Sequence, residues 1–450
     1  MESPFVRNYS HPAFRGRNII MEGLFVKADK KFLVCLNKTH LLYRNIEQGT
    51  GTIAFEDILS VKYNDTSFTV MYAVKTVSKK LVQENITFYG SESKNIGQKI
   101  QEYIDNNNRR PKQLLVFINP NSGKRRAVKV YYRKVKPIFD MCGIQSNAIV
   151  TKKPGEAKEI LQKYDLSLVN GIITVGGDGL YCECMTGLVL RAQSDAGIKY
   201  DSPEAKIVAS AIPIGIIPAG SGDYIVQYLH GTRDVKTAAL HVILGQRTDA
   251  NVVGVHQGGK LMAYSGLLLG FGLFGDIMYD CEKFRWMGAS RFNIIPVGTV
   301  LRRRAFDLEV EYLPAGGKEW QKSEGTMYGV DTYVVSRVAK KEKMVPHFGD
   351  DAMTVYLTSK CSLSKHVKQL AQVQDHKAGC FDHDFVQQHR VDGYKIRLTR
   401  ALSTQNDNGE TVLEDKYYVN CDGEVLTLTH LEIEARFHRN VVQLFGQATI

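Results

Sequence analysis

The chain has 450 residues, of which 44 % are hydrophobic and 23 % are charged, a balance typical of globular proteins that bury large cores. Its length predicts two or three domains. The net charge of +11 and the sequence pI of about 9.1 favour an anionic partner such as a nucleotide or an acidic lipid surface. The signatures of nucleic-acid-binding modules are absent from the sequence, so we expect no nucleic-acid partner.

The cysteines and the apolar runs indicate the compartment. The 8 cysteines include no C-x-x-C pair, and their spacing predicts neither a zinc site nor a disulfide framework, so we expect a reducing, cytosolic environment. Residues 1–14 lack a secretory pattern, and the most apolar run, residues 261–275, is shorter than a membrane span and interrupted by glycines. The sequence therefore predicts a protein that is soluble or peripherally associated with membranes.

Short predicted strands dominate the N-terminal region, residues 23–77, and one more follows at residues 86–89. The others are predicted at residues 32–36, 41–43, 52–55 and 59–63. Apolar residues then recur on one face of a predicted helix, at Ile96, Ile100, Tyr103 and Ile104. This arrangement resembles the pleckstrin-homology fold, although an unrelated small β-barrel would give the same pattern. We expect residues 1–110 to form a pleckstrin-homology-like domain that binds anionic membranes through phosphoinositide head groups, with residues 105–111 as a linker.

Strands and helices alternate from Gln113 onwards. Strands of the buried type are predicted at residues 114–118, 147–150, 171–175 and 214–217. Helices are predicted at residues 156–164, 180–192 and 235–244, and an earlier helix, kinked at Pro137, carries Val128, Tyr132, Val135 and Phe139 at helical spacing. The order predicts a mostly parallel sheet with helices on both faces, so we expect a three-layer α/β nucleotide-binding domain at residues 111–245.

Strands dominate again after Gln246. They are predicted at residues 251–255, 308–312, 333–336 and 353–358, and one helix near residues 363–370 interrupts them. The pattern predicts that residues 246–450 form a packed, mainly antiparallel β domain.

Three polar, glycine-containing loops each follow a predicted strand of the α/β region. They are Asn119-Pro120-Asn121-Ser122-Gly123-Lys124, Gly176-Gly177-Asp178-Gly179 and Pro218-Ala219-Gly220-Ser221-Gly222-Asp223. All three should lie at the carboxyl edge of the sheet, where open α/β folds bind ligands and where backbone N–H groups at helix starts bind phosphate. None is a Walker A loop or a Rossmann fingerprint.

Asp178 is the unusual residue in these loops. A carboxylate in a phosphate-binding loop repels phosphate unless it binds Mg²⁺ or accepts a proton, which points to an acid–base or metal-linked group. The ordinary alternative is a tight turn in which the aspartate caps a helix.

From about residue 112 to its C-terminus the chain resembles the family of diacylglycerol, sphingosine and ceramide kinases. The residues that carry the resemblance are Phe117–Pro120, Val175–Gly179, Gly215–Ser221, Glu282–Gly288 and Asn420–Val425. The resemblance implies transfer of the ATP γ-phosphate to the primary hydroxyl of a lipid, with ceramide as the expected substrate. Sphingosine or diacylglycerol as the substrate, or a lipid-binding relative without turnover, are the alternatives.

The same resemblance implies roles for individual residues, with ATP and Mg²⁺ as cofactors. Asp178 is the expected general base, and the ATP phosphates are expected on Asn119, Ser122, Gly123, Lys124, Gly176, Gly177, Gly179, Gly220 and Ser221. The late motif Asp422-Gly423-Glu424 is expected near the nucleotide, unless it is only a β-turn. Asp178 and Glu424 are the candidate metal ligands, Glu424 acting through water.

Further expected contacts come from the segment after Gly266. Arg285 and Arg291 match arginines that face the phosphates in sphingosine kinases, the alternative being ordinary surface charge. Asp276 matches an aspartate that contacts the lipid head group, and residues 267–274 would line an acyl pocket unless they only pack in the core. The basic runs at residues 302–304 and 340–343 face either an anionic membrane or solvent.

Overall fold

The structure is a computed structural model that describes residues 19–45, 49–400, 403–405 and 411–448. The N-terminal residues 1–18, where we expect no secretory pattern, lie outside the described residues. The chain divides into two compact units. The first comprises Met1–Lys112, Lys134–Gln145 and Asp234–Gln246, and the second comprises Gln113–Arg133, Ser146–Arg233 and Arg247–Ile450.

An antiparallel sheet and one helix form the N-terminal part of the first unit. The elements are β1 (Met21–Lys27), β2 (Lys30–Leu36), β3 (His40–Asn45), β4 (Gly49–Ala54), β5 (Ile58–Tyr63), β6 (Ser67–Lys75), β7 (Leu81–Tyr89) and α1 (Ser93–Asn106), with a 3-10 turn at Phe55–Asp57. The strands pair in the order β4-β3-β2-β1-β7-β6-β5. The five predicted strands are present; the sequence pattern does not single out β1 and β6.

Aromatic residues fill the core under this sheet. Phe25, Phe68 and Phe88 meet with ring centroids 5.3 to 6.2 Å apart, distances at which aromatic pairs attract one another. Ile96 and Ile100 of α1 are fully buried, as the predicted helical face requires. The helix therefore closes the core because its apolar stripe covers the open face of the sheet.

The segment predicted as a linker packs against the first unit. Arg110 is buried, and its guanidinium donates a hydrogen bond to the carbonyl of Phe55 (3.2 Å). Asp105 and Asn106 still belong to α1. One arginine of this polar segment is therefore buried and hydrogen-bonded, which the composition of the segment does not indicate.

Parallel strands and helices alternate in the next region. The elements are β8 (Gln113–Ile118), α2 (Ala127–Val130), a π-helical turn (Tyr131–Val135), α3 (Lys136–Met141), β9 (Gln145–Val150), α4 (Glu156–Leu161), β10 (Gly171–Gly176), α5 (Asp178–Asp195), β11 (Ile214–Pro218), α6 (Tyr224–His230) and α7 (Val235–Leu244). β8, β10 and β11 are parallel neighbours. The alternation agrees with the predicted order, and α3 and α7 belong to the first unit.

The helix expected around Pro137 has a different form from the predicted one. The π-helical turn inserts an extra residue before Pro137, which then lies in the first turn of α3, where its missing N–H is harmless. The insertion rotates the buried face, so Tyr131 is fully buried while the predicted core residues Val128 and Tyr132 are exposed. Val135 and Phe139 are buried as predicted.

The C-terminal half is built mainly of antiparallel strands. The elements are β12 (Arg247–Gln257), β13 (Lys260–Ser265), β14 (Leu268–Gly272), α8 (Leu273–Lys283), a 3-10 segment (Arg285–Ser290), α9 (Arg291–Arg302), β15 (Phe306–Pro314), β16 (Gln321–Tyr333), β17 (Ser336–Lys340), β18 (Lys343–His347), β19 (Met353–Ser359), α10 (Leu363–Gln374), β20 (Val386–Leu398), β21 (Ser403–Gln405), β22 (Thr411–Leu413), β23 (Tyr418–Cys421), β24 (Glu424–Thr427) and β25 (Glu432–Phe445). β25 pairs with both β12 and β11, which joins these strands to the parallel strands in one mixed sheet.

Two predictions for this half are wrong. The sequence predicts one helix, but α8 and α9 are also present; glycines at the start of α8 and Pro296 inside α9 hide their helical pattern. The predicted strand at residues 333–336 is broken, because β16 ends at Tyr333 and β17 begins at Ser336. The N–H of Val334 still bonds to the carbonyl of Leu267 (3.0 Å), in register with the pairing of β14 and β16, and from Ser336 the chain pairs with β18 instead.

The parallel strands end at the same level. Val175 of β10 is paired with Ile118 of β8 on one side and with Ile217 of β11 on the other. All three residues are completely buried, as expected for strands covered on both faces. The loops that follow these strands therefore start side by side. Among the described residues, no helix is both long and apolar enough to cross a membrane.

Candidate active site

The three predicted loops meet at the carboxyl edge of the parallel strands. Backbone hydrogen bonds join them, from the N–H of Asn119 to the carbonyl of Val175 (3.1 Å) and from the N–H of Ala219 to the carbonyl of Gly176 (2.9 Å). A methyl group on Gly123 would lie 2.7 Å from the carbonyl oxygen of Ala219. Glycine is needed here because the loops leave no space for a side chain.

The first loop folds as a compact turn. The side-chain oxygen of Asn119 accepts a hydrogen bond from the N–H of Asn121 (2.9 Å), and the N–H of Ser122 bonds to the Asn119 carbonyl (3.2 Å). Gly123 has a φ of +48°, in the left-handed region that favours glycine. The hydroxyl oxygen of Ser122 lies against Gly176, where an added methyl group would be 3.1 Å away, and Lys124 is exposed beside it.

Asp178 is the first residue of α5 and links it to α6. Its two carboxylate oxygens accept hydrogen bonds from the N–H groups of Tyr224 and Ile225, each 3.1 Å long. The aspartate therefore does cap a helix, but the capped helix is α6. Burial raises the pKa of Asp178, and the negative charges of Asp223 and Asp422 act in the same direction, while the two hydrogen bonds oppose the rise.

Asp223 fixes the third loop, although the sequence pattern does not single it out as a site residue. It is buried in the left-handed region (φ +52°), and its carboxylate accepts a hydrogen bond from the N–H of Gly220 (2.9 Å) and pairs with Arg233 (3.1 Å). Arg233 also donates to the carbonyl of Ser221 (3.0 Å). These contacts hold the backbone of Gly220 and Ser221 in place next to Gly177.

Glu183 is a second acidic residue on α5 that sequence reasoning missed. It is half-buried, and its Oε2 has no hydrogen-bond partner within the described part of the chain. Burial raises its pKa, and the negative charge of Glu424 contributes to the rise, so the two carboxylates are close enough to interact. The available signal was its position on the same helix as Asp178.

The late motif forms the turn between β23 and β24. The carboxylate of Asp422 accepts hydrogen bonds from the Ser265 hydroxyl (2.7 Å), from the N–H groups of Gly266, Leu267 and Leu268 (2.6 to 2.9 Å), and from the Cys182 thiol (3.2 Å). Asp422 thus fixes the turn between β13 and β14 against α5. Gly423 and Glu424 are exposed.

Arg285 and Arg291 lie around the short 3-10 segment between α8 and α9. Arg285 is mostly exposed and forms an ion pair with Glu282. Arg291 donates to the carbonyl of Arg285 (3.5 Å) and stacks on the ring of Phe292, with 4.5 Å from the guanidinium carbon to the ring centroid. Within the described residues, neither guanidinium has a hydrogen bond or ion pair to the three glycine loops.

Asp276, in the first turn of α8, forms a two-pronged ion pair with Arg304, with oxygen–nitrogen distances of 2.6 and 2.9 Å. Arg302 pairs with Asp280, and Arg303 donates to the carbonyl of Cys361 (3.1 Å). The run at residues 302–304 is therefore engaged within the second unit. The other predicted run, residues 340–343, forms the turn between β17 and β18.

A small cavity lies beside α8. Leu273 and Phe274, from the predicted acyl-pocket segment, line it together with residues of β16, β19 and α10. The sequence pattern does not indicate Asp331, a carboxylate in the wall of this cavity.

Comparison with known proteins agrees with this geometry. The diacylglycerol kinase catalytic domain family matches residues 113–255. Human ceramide kinase is 31 % identical over 414 residues, 78 % of this chain and 76 % of the relative, and mouse ceramide kinase is 28 % identical over 449 residues, 85 % and 84 % respectively. A crystal structure of a putative diacylglycerol kinase from Bacillus anthracis str. Sterne superposes with a TM-score of 0.51 at 16 % identity, covering 75 % of this chain and 98 % of that one, which supports the fold.

These findings define an ATP-dependent lipid kinase with a diacylglycerol-kinase-type catalytic domain. Within this class, the chain belongs to the ceramide kinase family.

Proposed function

We propose that this kinase phosphorylates the primary hydroxyl of ceramide, giving ceramide 1-phosphate. The observation that carries the proposal is that similarity to human and mouse ceramide kinases extends over three quarters or more of each chain, well beyond the catalytic match at residues 113–255. Sphingosine or diacylglycerol as the preferred substrate, and lipid binding without turnover, are the outcomes against which the proposal is tested.

The nucleotide phosphates bind to the three loops in this proposal. Phosphoryl transfer passes through a loose transition state, so positioning and charge neutralisation carry most of the catalysis. The loop backbone suits both needs, because its glycines allow phosphate to approach closely and the start of α5 adds the positive end of a helix dipole. One side of this proposed phosphate-binding site is formed by the first loop, with Asn119, Ser122, Gly123 and Lys124. The other side is formed by the second and third loops, with Gly176, Gly177, Gly179, Gly220 and Ser221.

Asp178 is the proposed general base. A carboxylate has about four lone-pair sites, and the N–H groups of Tyr224 and Ile225 occupy two. The remaining sites can accept the proton of a lipid hydroxyl. The same hydrogen bonds fix the orientation of the carboxylate, and the raised pKa makes it a stronger base.

The acidic residues near this proposed phosphate-binding site suit Mg²⁺, although no group of three or more metal-ligand side chains occurs among the described residues. Mg²⁺ binds through one or two carboxylates together with phosphate oxygens and water, so a protein cage is unnecessary. Glu183 fits because one of its oxygens is buried without a partner, and Glu424 is its acidic neighbour. When bound, the ion neutralises charge that develops on the phosphates. Asp178 remains a possible further ligand.

Other predicted contacts stay proposals. Arg285 and Arg291 would reach the phosphates by a change of side-chain orientation, and Gly423 and Glu424 would contact the nucleotide from the β23–β24 turn. Asp276 would contact the lipid head group, in which case Asp276→Ala should lower lipid use more than ATP use.

The proposed domain division follows the sequence: residues 1–110 as a pleckstrin-homology-like membrane-binding domain, 111–245 as the ATP-binding domain and 246–450 as the lipid-binding domain. The antiparallel strands closed by α1 support the first assignment. Lys27, Lys30 and Lys31 lie at the β1–β2 turn, where they can contact phosphoinositide head groups. We propose peripheral association with cytoplasmic membranes on this basis.

The test is a kinase assay with purified protein, ATP, Mg²⁺ and mixed micelles that contain ceramide, sphingosine or diacylglycerol. The highest kcat/KM is expected for ceramide. Asp178→Asn should lower kcat about 10²- to 10⁴-fold, with the KM for ATP and the unfolding midpoint close to those of the wild type. Turnover within about tenfold of wild type in a folded Asp178→Asn variant would exclude the general-base role, and absence of turnover by the wild type on every lipid would exclude the kinase reaction proposed here.

A further inference from the structure

The cavity beside α8 lies on one face of the mixed sheet. Side chains of β16 alternate between its two faces, so Asp331 and Tyr333 line the cavity while Val330 and Thr332 pack on the opposite side. Tyr356 of β19, directly paired with Asp331, also lines the cavity. Only about 10 Å³ of the space can hold the centre of a water molecule, roughly one ordered water. A longer ligand would enter by moving flexible side chains of the wall.

Asp331 places a carboxyl oxygen without a partner at this cavity, whose other walls are aromatic, aliphatic and polar side chains. It is 8 % exposed, and its Oδ1 has no hydrogen-bond partner in the described part of the structure. Glycines surround it: a methyl group on Gly270, its partner on β14, would lie 2.7 Å from Oδ1, and one on Gly329 would lie 3.4 Å from Oδ2. The two glycines leave a niche for the carboxyl, with the Cβ of Phe274 also next to Gly270.

Gln369 provides a second unpaired acceptor at the same cavity. It lies on α10, it is 5 % exposed, and its Oε1 also lacks a hydrogen-bond partner among the described residues. Buried polar atoms are normally paired, because leaving one unpaired destabilises the protein by about 1–3 kcal/mol. Two such atoms facing one cavity point to a ligand that supplies hydrogen-bond donors.

Strand pairing connects this niche to the active site. Asp331 is in register with Gly270, and Gly270 is in register with Asn420 of β23. Neighbouring strands are about 4.8 Å apart, so Asp331 lies roughly 10 Å from Asn420. The turn that carries Asp422 follows Asn420 directly, and Asp422 contacts Cys182 on the helix that begins with Asp178. The cavity and the catalytic helix α5 are therefore connected through β14, β23 and the Asp422 turn.

We propose that Asp331 and Gln369 determine substrate specificity by accepting hydrogen bonds from the amide N–H and the secondary hydroxyl of ceramide. The inference rests on the proposed function. Diacylglycerol offers ester oxygens, which are acceptors only, apart from the hydroxyl that reacts. It would leave both buried acceptors unpaired, and sites with unpaired polar groups reject such analogues strongly.

Burial also raises the pKa of Asp331 well above its usual range, which favours the neutral, protonated form. A protonated carboxyl donates one hydrogen bond and still accepts others. It can therefore satisfy the amide carbonyl of ceramide as well as a donor. This neutral state suits a neutral amide, whereas a cationic amine would require the acid to lose its proton on binding.

The experiment compares the wild type with Asp331→Leu, Asp331→Asn and Gln369→Met. Each is assayed in mixed micelles on ceramide, on the same lipid with a methylated amide nitrogen, and on diacylglycerol, with the KM for ATP measured in parallel. Asp331→Leu should lower kcat/KM for ceramide about tenfold or more, since one unpaired group changes the free energy by 1–3 kcal/mol and 1.4 kcal/mol is tenfold. Its effect on the other two lipids should be smaller, and Asp331→Asn, which keeps an acceptor, should retain most of the preference.

Several results would overturn the inference. An equal loss on all three lipids, or no loss on any, would show that Asp331 has only a structural role. If Asp331→Leu fails to fold, the same comparison of the three lipids is made with Gln369→Met. This variant keeps the side-chain length and removes the acceptor. The wild-type panel separates the two proposals: a wild type that prefers diacylglycerol refutes the ceramide assignment, whereas a ceramide-preferring wild type with unchanged selectivity in the variants refutes only the role of Asp331 and Gln369.

Discussion

Asp422 offers the sharpest test of how the site is built, because sequence resemblance and structure assign it different roles. The resemblance implies a contact with ATP. In the structure its Oδ1 accepts hydrogen bonds from Ser265, Leu267 and Leu268, and its Oδ2 accepts them from Gly266 and Cys182. The carboxylate is therefore saturated by the protein, and we expect Asp422→Asn to act on stability first.

The expected magnitude follows from these contacts. Asparagine can keep the three hydrogen bonds to Oδ1, but each bond weakens because the acceptor loses its charge. At the position of Oδ2, the new NH₂ group faces the N–H of Gly266, where the wild type has a 2.6 Å hydrogen bond. Hydrogen bonds to charged groups contribute about 1.5–3 kcal/mol against 0.5–1.5 for neutral ones. Leaving the buried N–H of Gly266 without an acceptor costs about 1–3 kcal/mol. The weakening of the three bonds to Oδ1 adds to this cost, so we expect the free energy of unfolding to fall by about 2–5 kcal/mol.

The assay is denaturant unfolding of the wild type, Asp422→Asn and Glu424→Gln, followed by ATP kinetics under conditions where each is folded. Glu424→Gln is the matched control: it changes an exposed carboxylate on the same turn, so its stability should stay within about 0.5 kcal/mol of wild type while its KM for MgATP rises. An Asp422→Asn variant with wild-type stability and lost ATP binding would refute the structural role and favour the nucleotide contact.

Three further predictions concern charge. Arg285→Ala and Arg291→Ala should each lower kcat/KM for ATP by about 1.5–3 kcal/mol in free-energy terms; wild-type kinetics in both would identify them as surface charge. The raised pKa of Asp331 means that its stabilising contribution is complete below the unfolded-state pKa and is lost as pH rises through the folded-state pKa. The stability of Asp331→Asn relative to wild type should therefore increase as pH rises above the unfolded-state pKa of about 3.9, and a constant difference in unfolding free energy would contradict this. Lys27→Ala combined with Lys31→Ala in the full chain should reduce sedimentation with phosphoinositide-containing vesicles but not with neutral ones; equal recovery by wild type on both vesicles would count against membrane binding by this face.

Local signals allowed most of the fold to be predicted. Each parallel strand is a short apolar run followed by glycine or a polar turn, so β8, β10 and β11 and the loops after them could be located from sequence, and α7 has the predicted limits. α9 could not, because Pro296 interrupts its pattern and Ile294 and Val297 are exposed, which removes the apolar stripe that marks a packed helix. The break after Tyr333 marks the point where the chain leaves β14 and β19 and pairs with β18, a change of partner that no local pattern contains.

The sequence allowed the main residues of the candidate site to be predicted, but not their contacts with one another. The glycine loops and Asp178 follow from composition and chain order, but the partners of Asp178 lie 46 and 47 positions away on α6. Asp223 acts through a left-handed turn and Glu183 through an unpaired oxygen, and neither property can be seen in the local sequence. These roles are set by tertiary contacts, which no local sequence pattern indicates.

Asp331 and Asp422 show why position alone decides what a buried aspartate does. Both are 8 % exposed and both lie in or next to a strand paired with β14. Asp422 faces the backbone N–H groups of a turn, and their hydrogen bonds tie the turn to its carboxylate. Asp331 faces glycines and aromatic rings that offer its Oδ1 no donor, which favours the protonated form. The first arrangement stabilises the fold without a ligand, whereas the second is destabilising until a donor enters the cavity. For that reason we expect added lipid substrate to raise the unfolding midpoint of the wild type more than that of Asp331→Leu, and to raise it equally in the wild type and Glu424→Gln.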